Sequence, residues 1–112
     1  MIIRFEQFAV LGAEQRRLFL ERMIGRLDEK YPKRIQDMYG AETGDFVNAG
    51  IAKAKEYGIE FEGDIESFLD MLVEWGPEFD VTQAWAAAIL TDKRYKGSDK
   101  IVLLKEHERF GN

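Results

Sequence analysis

An all-α fold in a single domain is what this sequence predicts, on three observations. Apolar residues recur at three- and four-residue spacing through most of the chain, there are only two prolines, and the one alternating run, Ile59 to Glu62, is too short to carry a sheet. The 112 residues suit one domain, 1–112, that folds without disulfide or metal staples. With 46% hydrophobic and 33% charged residues the composition is that of a globular protein. The expected architecture is a single compact domain of five to six helices, with a long N-terminal amphipathic helix packed on shorter ones.

The first helix is expected from about Arg4 to Tyr31. Leu20, Met23, Ile24, Leu27 and Tyr31 form its apolar stripe, and Arg16, Arg17, Glu21, Arg22 and Arg26 fill its other faces. Phe5, Phe8, Leu11, Leu18 and Phe19 extend the apolar surface, and Gly12 marks a bend or a close contact. Pro32 stops this helix and suits the first turn of a short one over PKRIQDMY that ends at Gly40. A third helix, about Glu42 to Tyr57, places Val47, Ile51 and Ala54 on one stripe, with Gly50 allowing another backbone to approach and Gly58 ending it.

Asp64 is expected to cap the clearest core helix, in which Ile65, Phe68, Leu69 and Leu72 share a face and Met71, Val73 and Trp75 widen it up to Gly76-Pro77. Asp80 and Gln83 have capping-box spacing ahead of a short apolar helix from Trp85 to Leu90. A charged loop, Asp92 to Gly97, leads to a last helix capped by Ser98, with Ile101 and Leu104 on its stripe and Lys105 and Arg109 near its C-terminal end. Trp75 and Trp85 lie in phase with their stripes and are expected in the core.

Charge is distributed unevenly. Glu56 to Asp92 holds ten of the 21 acidic residues and no Lys or Arg, so the rest of the chain carries all 16 basic groups. Within that stretch Glu66, Asp70 and Glu74 fall at i, i+4 and i+8, one ridge of one helix, where like charges destabilise each other unless something offsets them. Basic side chains of neighbouring helices, or water, can do so. The sharper alternative is that the ridge, with Glu60, Glu62, Glu78 and Asp80, is presented to a basic surface on another protein.

Several function classes are disfavoured. The chain has no phosphate-binding loop, no nucleophile elbow and no H-E-x-x-H pair, and without cysteine it has no disulfides or thiolate chemistry. His107, the one histidine, sits between Glu106 and Glu108 and is expected to be a solvated surface residue. No catalytic residues, metal ligands or cofactors are assigned. Arg16, Arg17, Arg22 and Arg26 could touch phosphates, but the interleaved Glu14 and Glu21 argue against nucleic acid. No apolar run approaches the roughly 18 residues that span a bilayer, and MIIRFEQF leads into charged residues and not a signal-peptide core. A cytoplasmic location and no membrane partner are the expectation.

Ile3-Arg4-x-Glu6-Gln7, Arg22-Met23, Gly50-Ile51 with Ala54, Tyr57-Gly58-Ile59, Glu62-x-Asp64-Ile65, Phe79-Asp80, and Trp85-Ala86 before Ile89-Leu90 together resemble a family of small all-helical bacterial proteins. Members of that family are associated with gene neighbourhoods of type VI secretion effectors and PAAR-type spike-tip proteins. The chain has Val81-Thr82-Gln83-Ala84 where proline-containing versions occur in the family. The resemblance implies an effector-associated accessory role, as an immunity protein or a loading adaptor, and brings no catalytic residues with it.

The functional expectation is a non-enzymatic protein-binding module that meets a basic effector or toxin through Glu60, Glu62, Glu66, Asp70, Glu74, Glu78 and Asp80. The alternative is a homo-oligomeric helical scaffold in which the acidic middle of one copy meets the basic first helix of another.

Overall fold

A computed structural model describes residues 13–39 and 42–110, which form seven helices and no strand. They are α1 (Ala13–Lys30), α2 (Arg34–Tyr39), α3 (Thr43–Glu56), α4 (Glu62–Trp75), α5 (Phe79–Thr82), α6 (Ala84–Leu90) and α7 (Gly97–Phe110). The all-α class holds. One helix more than expected arises because Phe79–Thr82 closes a single turn where a capping segment was expected. The expectations for Arg4, Phe5, Phe8, Leu11, Gly12 and Gly40 lie outside the described residues.

The two middle helices, α3 and α4, form the centre. Helices α1 and α2 pack on α3, while α7 packs on α4 and is joined by α6. Helix α4 buries Ile65, Phe68, Leu69, Met71, Leu72 and Val73, on more than one face, because it has neighbours on both sides. Each such side chain contributes about 1.5–3 kcal/mol of apolar transfer, as an upper estimate. Helix α1 presents Phe19, Met23 and Leu27 to this core at i, i+4 and i+8, with Leu20, Ile24 and Tyr31 half-buried beside them. Leu18 is out of phase with that stripe and is exposed.

Gly50 is where α3 and α4 touch. A Cβ built there would press on Leu69 Cδ2 and crowd Leu72 Cδ1, so glycine makes room for these two side chains of α4; the neighbour is side chain and not, as expected, another backbone. Helix α3 ends in a Schellman motif: Ile59 N–H donates to Ala54 O and Gly58 N–H to Lys55 O, with Gly58 at φ +77°. That turn is also the seat of α7, because a Cβ at Gly97 would lie 2.2 Å from Gly58 O and 2.6 Å from Ile59 Cα.

Three expected caps are corrected. Helix α4 starts at Glu62 after an extended Phe61, so Asp64 lies inside its first turn and accepts from the Ser98 hydroxyl. Ser98 lies within α7 and spends its hydroxyl on that bond, so neither side chain caps its own helix. Asp80 is buried within α5, and its carboxylate is taken by other elements.

Candidate functional site

Arg22, Arg26 and Lys30 stand at i, i+4 and i+8 on α1, the same spacing as Glu62, Glu66, Asp70 and Glu74 on α4. The structure sets the two ridges against each other. Arg22 pairs with Glu62, Arg26 Nε lies 3.5 Å from Glu66 Oε1, and both terminal nitrogens of Arg26 donate to Asp70, at 2.9 and 2.7 Å. Lys30 Nζ lies 3.5 Å from Asp70 Oδ2, and the Tyr31 hydroxyl donates to Glu74 Oε2 at 2.8 Å. Partner numbers rise together along both helices, so α1 and α4 run in the same direction.

Asp70 sits deepest of these, its side chain 17% exposed. Burial there opposes ionisation, but the Arg26 guanidinium, helped by Lys30, outweighs it and holds the carboxyl below its usual range. Burial first, and then the bond to Glu74, push the Tyr31 hydroxyl upward.

A second network locks α5 to α3. Asp80, 2% exposed, accepts from Lys53 Nζ at 2.7 Å and from the Tyr57 hydroxyl at 2.7 Å, and Lys53 also donates to Pro77 O at 2.8 Å. Asp80 therefore cannot meet an outside partner, which corrects its assignment to the contact surface. A buried carboxylate is tolerated only when paired and hydrogen-bonded, and here it is both.

The remaining predicted contact residues are spread out. Glu60 is half-buried in the α3–α4 connection, and Glu62 is half-buried under Arg22. Glu66 keeps part of its carboxylate in water, Glu74 is exposed, and Glu78 is open too, its side chain 66% exposed beside Lys53 at 3.6 Å. The ridge is thus offset by a neighbouring helix along most of its length and opens only toward the C-terminal end of α4.

At that end lies a feature the sequence did not reveal. Trp75 and Trp85 meet with ring centroids 5.5 Å apart and planes at 67°, half-buried and not sealed in the core as expected. Trp75 also lies edge-on to Phe79 at 5.1 Å, and its Nε1–H donates to Glu108 Oε2 at 3.0 Å. His107 stacks flat on Trp85, centroids 3.8 Å apart at 8°, so the expectation of a solvated histidine is corrected. His107 falls three residues after Leu104, on the inner side of α7, and that spacing was the signal available in the sequence.

Lys100 was also missed. It lies four residues before Leu104 on the inward face of α7 and is 7% exposed, its Nζ donating to Tyr57 O at 2.8 Å. Burial lowers its pKa, against the pull of Asp92. It lines a hollow of about 580 Å³ with Lys93 and Lys96, opposed there by Glu56, Glu60 and Asp99, so the lining favours neither anions nor cations.

Among the described residues no three His, Asp or Glu side chains gather to hold a metal, and no helix is long and apolar enough to cross a membrane. Comparison with protein-family models, curated proteins and solved structures finds no match.

Proposed function

We propose that this chain is a cytoplasmic, non-enzymatic protein-binding module that meets a partner with a basic surface, its contact centred on the C-terminal end of α4. The observation that carries this reading is the half-buried Trp75–Trp85 pair, next in sequence to the exposed Glu74 and close to Glu78. Large aromatic anchors supply most of the free energy at protein interfaces, while open carboxylates around them steer a basic partner and speed encounter. Glu66 extends the acidic rim; Glu62 and Asp70 pair with the protein's own arginines and serve the fold more than the contact, and Glu60 lines the hollow beside Lys100, away from the tryptophan pair. An immunity protein or loading adaptor for a secretion-system effector is the form of this reading that the family resemblance implies.

The rival scaffold reading needs acidic and basic ridges to pair between copies. Here α1 and α4 make that pairing within one copy, which favours the heteromeric reading.

The test is retention from native cell extract by the tagged protein at moderate salt, followed by mass spectrometry. One stoichiometric protein with a basic surface is expected, held less well by the double variant Glu74→Lys, Glu78→Lys. Retention of no partner, or of one that ignores both charge reversals, overturns the reading.

A further inference from the structure

Beside the tryptophan pair is a notch of about 290 Å³ lined by Trp75, Gln83, Trp85 and Glu108. Its volume falls at the lower edge of small-molecule sites, the size for one side chain and too small for a drug-sized ligand. Two walls are indole rings whose planes differ by 67°, and among the described residues the one charged group in the lining is the Glu108 carboxylate. The geometry points to a receptor for a single arginine side chain of a basic partner protein: the guanidinium lies against indole while its N–H groups bond Glu108.

Three features carry this. A guanidinium is planar and weakly hydrated, stacks on aromatic faces and donates in a fork that matches a carboxylate, whereas an ammonium is a strongly hydrated point charge. The walls are held before any ligand arrives, since His107 covers one face of Trp85 at 3.8 Å and the Nε1–H bond to Glu108 at 3.0 Å fixes Trp75. Little side-chain freedom is then lost on binding. Glu108 has acceptor sites beyond the one used by Trp75, because a carboxylate offers about four lone-pair positions. Anionic ligands are repelled by that carboxylate, and among the described residues the lining has no aliphatic side chain to hold an apolar one.

The inference rests on the protein-binding reading only for who supplies the arginine. The notch is testable without a partner, by titrating the ¹⁵N-labelled protein with Nα-acetyl-arginine methylamide and following the two tryptophan indole N–H resonances. The same titration with the citrulline analogue, which has the same shape and no charge, is the control. Saturable shifts of both indoles at millimolar arginine analogue are expected, with the citrulline analogue binding at least several-fold more weakly. Glu108→Gln, which leaves an acceptor for Trp75 on an exposed side chain, should lower the arginine affinity several-fold with an unchanged melting temperature.

Equal binding of both analogues, no saturable shift, or full affinity in Glu108→Gln overturns the notch. A lysine analogue that binds as well as arginine overturns the guanidinium preference. If the notch fails in this way while a basic partner is still retained from extract, the protein-binding reading stands without it. If arginine binds and no partner is retained, the notch stands and the wider reading falls.

Discussion

Asp70 links the fold to pH. Its folded pKa lies below the ordinary value of about 3.9, so its contribution is present above that value and is lost as pH falls through the lower, folded one. Asp70→Asn removes a proton-linked group, so its stability should fall less steeply below about pH 4 than that of the wild type, in urea titrations across the acid limb. Parallel acid limbs would show that the Arg26 pairing contributes nothing to acid stability. At Asp80 the geometry predicts a larger effect: Asp80→Ala removes the acceptor shared by Lys53 and the Tyr57 hydroxyl and leaves Lys53 only Pro77 O and the looser Glu78, at a cost of about 3 kcal/mol. Asp80→Asn keeps one acceptor and should cost less, a ranking that chemical denaturation can check. The glycines divide by what a methyl would strike. Gly97→Ala drives into the backbone of Gly58 and Ile59, which cannot yield, whereas Gly50→Ala meets Leu69 and Leu72 methyl groups that can partly turn aside. Both should destabilise, by about 1–3 kcal/mol for overpacking, with Gly97→Ala the worse of the two in thermal melts.

At the scale of elements, α1 and α4 are joined by two charge ridges with the same four-residue period. Isolated surface ion pairs contribute about 0.2–1 kcal/mol, but a two-pronged Arg–carboxylate contact that is partly out of water can exceed this. A double-mutant cycle on Arg26→Met and Asp70→Asn should give a coupling of about 1 kcal/mol, and a value near zero would reduce the contact to decoration. The acidic ridge of α4 was legible because an i, i+4, i+8 run of carboxylates demands compensation. Its partners Arg22, Arg26 and Lys30 have the same period, yet nothing local to α1 says which helix they face. The caps differ from expectation for a related reason. Asp64 and Ser98 each have good capping chemistry, but tertiary packing brings them together and they satisfy each other. His107 and Lys100 share the inward side of α7 with Leu104, so helical phase alone could have flagged both.

The whole molecule carries a net charge of −5, with its acidic excess in the middle of the sequence. Because the opposing ridges close within one copy, native mass should give the 13.0 kDa monomer at low and at high salt. A dimer that dissociates as salt rises would restore the scaffold reading, since screening acts most on exposed charges. The sequence by itself determined the all-α class, the helix order, and the apolar faces of α3 and α4, because helical period is a local property. Only the tertiary structure decided which carboxylates remain open, that Asp80 is buried in a network, and that Trp75, Trp85 and Glu108 form a notch. Those three residues lie on three different helices, and their meeting depends on how α4, α6 and α7 pack, which no spacing within one helix encodes.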